Sequence, residues 1–431
     1  MILHRIIVYD IILTENICKG FFCMSVSNLA KVYARSYQFV MKLVMGTDIL
    51  NWDEPELLEG PGAVKKLPAL IKSKGYDNVL VVTDKGLTSL HLLDGLYEAL
   101  EKEGIKYTVF DEVQPNPTIR NVEACKNAYV SNNCQAMISF GGGSPMDTAK
   151  AAGAVVANPN KKIKQMIGVL KVTKKIPPIF AVPTTAGTGS EVTVAAVITD
   201  EETHEKGAVN DPKLRPGVAV LDPELTIGLP PKITSTTGMD ALTHAVEAFI
   251  GRSNVANTED AAKKAVKLIF DNLKIAYDDG SNLEARANML KASYYAGIAF
   301  TRAYVGYVHA IGHNLGGFYN VPHGLAMSVI LPYVLDYYGE TAYERLAMLA
   351  DAAGLETSGL TTSKKAKLFI AKVRELNASM GIPEHIEGIL EKDIPTIAQR
   401  ALREGNPLYP VPKLMDFDDC CLLIKKIGGL K

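Results

Sequence analysis

The side chains with the greatest chemical capacity lie in two short stretches. The segment His309–His323, HAIGHNLGGFYNVPH, holds three of the chain's eight histidines. Upstream, GMDALTHAVEAF places Asp240 and His244 four residues apart. That is about one helical turn, so both can project from the same helix face. His309 and His313 repeat the spacing, while His323 follows Gly-Gly and Pro and is expected on a loop or at a helix start. A lone histidine is more often a packing or surface residue than a ligand, and His4, His91, His204 and His385 read that way. The paired spacings differ, because a carboxylate on an apolar helix needs a partner or a metal. One carboxylate and three imidazoles suit a borderline divalent cation, Fe(II) or Zn(II).

Two further stretches could hold a phosphorylated ligand. FGGGSPMDTAKAAG (140–153) follows an expected strand and opens an expected helix. Its glycines let backbone approach phosphate closely, and a helix N-terminus favours negative charge. Ser144 is expected to cap that helix, with Asp147 completing a variant of the capping box. VPTTAGTGSEVT (182–193) is a second loop of glycines and hydroxyls after a strand, able to offer N–H and O–H donors to phosphate or ribose. The first run, 140–153, is not the G-x-G-x-x-G fingerprint, and either loop alone could be a plain turn. Asp84 ends a strand in VVTDKG, where a carboxylate can accept from a ribose hydroxyl and repel a 2′-phosphate.

These groups need a scaffold. From about residue 51 to 226, apolar runs alternate with amphipathic helical segments. Strands are expected at 78–84, 106–113, 136–142, 178–184 and 218–222, with helices in VKKLPALIKSKG, SLHLLDGLYEALEKEG and VEACKNAYVSNN. Alternation with continuously apolar strands argues for a parallel, doubly wound α/β sheet, which binds ligands beyond the carboxyl ends of its strands. After Asp222 strand signals fade, and Pro230-Pro231 marks a helix start. In AAKKAVKLIFDNLKIA, the stripe Val266, Ile269, Phe270 and Leu273 is expected in a core.

The chain has 431 residues, enough for two or three domains, with 47% hydrophobic and 22% charged residues. A net charge of −1 without basic runs argues against nucleic-acid or anionic-membrane partners. Six cysteines form no C-x-x-C pair and no regular framework, which reads as reduced thiols in a cytoplasmic protein. The first forty residues are apolar in patches but interrupted by Asp10, Glu15 and Lys19. No run approaches the ~20 residues of a membrane span, and the charges break a signal-peptide core. Residues 1–41 are therefore read as an atypical extension or an upstream start, with Met41 or Met45 the alternative first residue.

Taken together, GGGSPMDTAK, PTTAGTGSEVT, GMDALTHAVEAF and HAIGHNLGGFYNVPHG resemble the iron-containing (group III) alcohol dehydrogenase family, in order and spacing, over roughly residues 50–431. The resemblance implies a Rossmann-like NAD-binding domain (42–229), an all-helical metal-binding domain (230–431), and a site in the cleft between them. It implies Asp240, His244, His309 and His323 as metal ligands, with His313 near the nicotinamide in a proton relay. Gly142, Gly143 and Ser144 would hold the pyrophosphate, with Asp147 in the same turn. Thr184, Thr185, Thr188 and Ser190 would line the cofactor site. Asp84 would meet the adenosine ribose and favour NAD over NADP, and Asn116 and Lys206 would be further cofactor contacts. The expected reaction interconverts a small primary alcohol or diol and its aldehyde with NAD(H), in a homodimer or higher homo-oligomer. Ethanol, butanol, 1,2-propanediol with lactaldehyde, and 1,3-propanediol all fit. Iron and zinc are both compatible with the ligands.

Three other readings compete. Dehydroquinate synthase, a lyase on a similar scaffold, pairs a Glu with two His at its metal and needs basic residues for a phosphate, whereas these motifs carry no Lys or Arg cluster. Glycerol dehydrogenase, a zinc relative, uses fewer histidines. A non-catalytic NAD-binding structural protein is the third possibility, but a degenerate copy usually lacks a ligand or a loop, and none is missing.

Overall fold

The computed structural model describes residues 28–45, 47, 52–202 and 206–430. A helix α1 (Asn28–Met45) precedes the first strand β1 (Glu56–Glu59). Then come α2 (Ala63–Ser73), β2 (Asn78–Val82), α3 (Lys85–Ser89), α4 (Asp94–Lys102), β3 (Lys106–Phe110), α5 (Ile119–Ser131), β4 (Ala136–Gly141) and α6 (Gly143–Ala157). Strands β5 (Gly168–Val169), β6 (Ile179–Pro183), β7 (Ala195–Thr199), β8 (Lys206–Asn210) and β9 (Val218–Leu221) follow.

The main sheet has the order β1-β9-β6-β4-β2-β3, and every pairing in it is parallel. Strands β4, β6 and β9 are buried at every position, and β2 at every position after Asn78, because helices cover both faces. All five expected strands are present. β1 was not expected: ELLE is short, charged at both ends and largely exposed at the sheet edge. The small sheet β5-β8-β7, with β7 and β8 antiparallel, was also not expected.

From Pro231 the chain is helical: α7 (Pro231–Ile250), α8 (Ala256–Asp278), α9 (Leu283–Ala303), α10 (Tyr307–Tyr319), α11 (His323–Tyr338), α12 (Glu340–Ala352), α13 (Thr362–Ser379), α14 (Ile394–Gly405) and α15 (Phe417–Ile427). Proline at the first position of α7 suits its missing N–H and fixed φ. Val266, Ile269 and Leu273 are fully buried in the helical core, and Phe270 packs against it. Among the described residues no helix is long and apolar enough to cross a membrane. The expected extension lies outside the described residues up to residue 27, as do His4, Cys18, Cys23 and His204. His91 is exposed beside Asp94, and His385 contacts the Tyr333 hydroxyl.

Helix α1 docks on the segment after α14. Arg35 donates to the carbonyls of Val411 (2.7 Å) and Pro412 (3.0 Å), and Gln38 to those of Pro407 (3.2 Å) and Tyr409 (2.8 Å).

The loop Thr184–Thr193 is held from below by α6. Lys150 is fully buried, and its ammonium donates to Ser190 O (2.6 Å), Ser190 Oγ (2.9 Å), Thr193 Oγ1 (2.8 Å) and Ala195 O (3.1 Å). Asp147 accepts from Ser190 Oγ (3.0 Å) and the Val197 amide (3.0 Å). This corrects the expected capping box. Gly142 is the N-cap of α6 without a side-chain cap, Ser144 lies within the helix, and the Asp147 carboxylate is turned to Ser190 instead. Lys150→Met should strand these buried acceptors and leave Asp147 without its counter-charge. Urea unfolding should show a loss of about 3 kcal/mol relative to the unsubstituted protein.

Candidate active site

Three strand ends set the floor of the cleft. Beyond β2, Asp84 caps α3, accepting from the Leu87 amide at 3.1 Å. Beyond β4, the uncapped start of α6 leaves its first N–H groups facing outward, the arrangement that suits an anion. Beyond β6 runs the hydroxyl loop. A Cβ built on Gly142 would lie 3.3 Å from Thr185 Oγ1, and one on Gly143 3.0 Å from Thr188 Cγ2. The two loops therefore approach each other through glycine backbone. Thr185 and Thr188 are half-buried, whereas Thr184 and Ser190 lie beneath the loop surface, at 3% and 4% exposure. On the far side, Lys206 donates to Asn116 Oδ1 at 2.7 Å. Asn116 adopts φ 57°, a left-handed conformation that asparagine tolerates.

The hydroxyl loop also meets the helices. Gly189, at φ 59°, approaches α9 so closely that a Cβ would sit 2.8 Å from Gly297 Cα, and its amide donates to Ser293 Oγ at 3.1 Å. A Cβ on Gly187 would be 2.9 Å from Thr237 O on α7. Helix α7 carries Asp240 and His244.

Asp240, His244 and His309 are buried, and one ligand atom from each lies within 4.8 Å of the others. Asp240 Oδ1, His244 Nδ1 and His309 Nε2 are buried atoms without a hydrogen-bond partner. His309 Nδ1 sits 2.6 Å from Glu247 Oε2, which fixes the ring proton there. His309 Nε2 is then a bare lone pair, and it faces Asp240 Oδ1 at 3.9 Å. His244 Nδ1 lies 4.0 Å from the same oxygen. Converging electron pairs with no proton between them fit a cation. His323, the first residue of α11, brings Nε2 to 3.3 Å from Asp240 Oδ1 from the open side. A set of one carboxylate and neutral imidazoles suits Fe(II) or Zn(II).

The electrostatics agree with neutral ligating imidazoles. Burial, opposed by Asp240, lowers His244 to about 3. Burial and the neighbouring His323 hold His309 well below its ordinary value. Burial alone would raise Asp240, but His244, His323 and His309 outweigh it and keep the carboxyl below the usual range. The His244 ring stacks on Phe300, with centroids 4.2 Å apart, which closes one side of the cluster with apolar surface.

His313 lies one turn beyond His309 and stacks on His323 at 5.3 Å. Its Nδ1 meets Glu404 Oε1 at 2.7 Å. Beside it opens a pocket of about 210 Å3, lined among others by Lys206, His313, Arg400, Arg403 and Glu404. The site motifs by themselves carry no basic cluster, but α14 brings Arg400 and Arg403 to the cleft. The absence of such a cluster therefore does not separate the competing readings.

Several functional groups escaped the sequence reading. Glu247 had a signal: it follows Asp240 by seven residues and His244 by three, on the same face of a buried helix. It accepts from the amides of Gly306 (2.8 Å) and Val308 (2.7 Å) as well as from His309. Burial pushes its carboxyl up to about 7, and the backbone donors oppose that shift. Glu404 and Lys150 had no local signal, since their partners are remote in sequence.

Comparison with known proteins gives a consistent result. Residues 55–223 match the profile described as iron-containing alcohol dehydrogenase, and residues 234–428 match the C-terminal part of the Fe-containing alcohol dehydrogenase family. A 1,3-propanediol dehydrogenase of Citrobacter freundii is 41% identical over 351 residues, covering 80% of this chain and 90% of that protein. An NAD-dependent methanol dehydrogenase of Bacillus methanolicus is 39% identical, covering 86% of this chain and 97% of its own length. A crystal structure of a 1,3-propanediol oxidoreductase superposes with a TM-score of 0.84 at 38% identity, covering 88% of this chain and all of that one. The chain belongs to the iron-containing alcohol dehydrogenase family.

Proposed function

We propose that this chain oxidises a small primary alcohol or diol to its aldehyde, or runs the reverse reduction, with NAD(H) and a divalent metal. The observation that carries the reading is the buried trio Asp240, His244 and His309, whose unpartnered atoms converge from α7 and α10, with the loop after β6 packed against α7. Residues 42–229 are assigned to NAD and residues 230–431 to the metal.

Asp240, His244, His309 and His323 would hold the metal, and Glu247 locks the His309 ring in the ligating tautomer. When bound, the metal supplies a Lewis acid for the substrate oxygen, and NAD supplies the hydride acceptor. The N–H groups at the start of α6, from Gly143 and Ser144, with Gly142 beside them, would receive the pyrophosphate. Thr185 and Thr188 would form the facing wall, with Thr184 and Ser190 beneath them and Asp147 bracing Ser190 from below. Asp84 uses one carboxylate oxygen as a helix cap and keeps the other for a ribose hydroxyl. Asn116 and Lys206 would close the cofactor side as a hydrogen-bonded pair. Phe300 excludes water behind His244. With Nδ1 committed to Glu404, His313 Nε2 is the atom able to take the hydroxyl proton as alcohol becomes aldehyde. A cytoplasmic homo-oligomer is part of the same reading. The buried free thiols Cys125, Cys134 and Cys420 suit a reducing compartment. The exposed side chains Leu29, Val32, Phe39 and Leu43 leave apolar surface on α1 for a second subunit. Light scattering should read a multiple of the chain mass, and a monomer mass rejects the oligomer.

NADH absorbance over a panel of alcohols and diols tests the activity. Chelation should abolish turnover, and Fe(II) or Zn(II) should restore it. His309→Ala should purify without metal and without activity, while Glu247→Gln should bind metal about 10- to 100-fold more weakly. Metal retained in full by His309→Ala would remove the ligand assignment.

Asp84→Gly should admit NADP by deleting a charge that repels the 2′-phosphate. The ratio of NADP to NAD turnover measures it, and an unchanged ratio removes Asp84 from cofactor selection.

A further inference from the structure

His313 is held from outside its own helix. Glu404, near the end of α14, brings Oε1 to 2.7 Å from His313 Nδ1. The same oxygen accepts the Tyr409 hydroxyl at 3.0 Å. Tyr409 is buried and its carbonyl is tied to Gln38 of α1 at 2.8 Å, so the hydroxyl is fixed by a segment that α1 clamps. A carboxylate that accepts from an imidazole N–H determines which ring nitrogen carries the proton and restrains the ring about its last torsion. The opposite nitrogen, Nε2, is then left as the proton acceptor.

We propose that Glu404 is a positioning residue for His313, and that Tyr409 holds Glu404 in place to do it. Glu404 keeps the proton on Nδ1 and leaves Nε2 as a lone pair for the substrate hydroxyl. It touches neither substrate nor cofactor in this role. The arrangement parallels that of Glu247 and His309: each histidine of α10 has its Nδ1 committed to a carboxylate from a different helix. The inference rests on His313 serving as the proton acceptor of the proposed reaction.

The test combines a spectroscopic and a kinetic measurement. In zinc-loaded protein, nitrogen-15 NMR of the His313 ring, assigned with His313→Gln, should show a protonated Nδ1 and a bare Nε2. Glu404→Ala should give a mixture of tautomers, lower kcat about tenfold, and enlarge the solvent deuterium isotope effect, with zinc content and NAD affinity unchanged. Glu404→Gln, whose amide oxygen still accepts from Nδ1–H, should keep the tautomer and most of kcat. Tyr409→Phe, which deletes only a hydroxyl, should move both readouts the same way, by about threefold in kcat. An unchanged tautomer or an unchanged kcat in Glu404→Ala overturns the proposal. If Glu404→Ala does not fold, a wild-type tautomer in Tyr409→Phe overturns it instead. A wild-type protein inactive on every alcohol defeats the proposed reaction, while the NMR comparison still decides the role of Glu404.

Discussion

A lone pair on His309 Nε2 faces a carboxylate oxygen of Asp240 across 3.9 Å of buried space, with His244 Nδ1 aimed at the same point. The two atoms are too far apart to share a proton, and His323 Nε2 approaches the same oxygen from the open side at 3.3 Å. The ring could escape by moving its proton to Nε2, but Glu247 prevents this by accepting at Nδ1. Glu247 is itself fixed by the first amides of α10, from Gly306 and Val308, which need an acceptor because they begin a helix. The helix start, the carboxylate and the tautomer thus form one chain of constraint. Its outcome is a cluster of electron-pair donors matched to a cation.

The cofactor side depends on a comparable arrangement of buried polar groups. Lys150 satisfies acceptors that the hydroxyl loop turns inward, and Asp147 takes Ser190 and the Val197 amide. The loop is thereby set before any ligand arrives. Its glycines then allow contact with α7 and α9 at distances no side chain could tolerate. One loop is consequently rigid against both the sheet and the helix that carries Asp240 and His244. Such coupling suits a reaction in which cofactor and metal must keep a fixed separation.

Much of this was legible from local patterns. Continuous apolar runs identified the buried parallel strands, and loss of that pattern after Asp222 together with Pro230-Pro231 marked the passage to helices. The i,i+4 spacings of Asp240 with His244 and of His309 with His313 placed each pair on one helical face. The expected capping box does not form, because Asp147 turns to Ser190, 43 residues away, instead of to its own helix start. The edge strand β1 escaped because two of its four residues are charged and only one neighbour, β9, pairs with it.

The sequence by itself determined the ligand types, their spacing along each helix, and the glycine and hydroxyl content of the loops, since these follow from periods of a few residues. Tertiary structure alone decided that α7, α10 and α11 meet at Asp240, that Glu247 accepts from His309 Nδ1, and that Glu404, held by Tyr409, reaches His313. Those contacts join residues 62, 91 and 5 apart in sequence. They depend on how helices pack, and helix packing is governed by whole apolar faces rather than by the polar residues that end up touching.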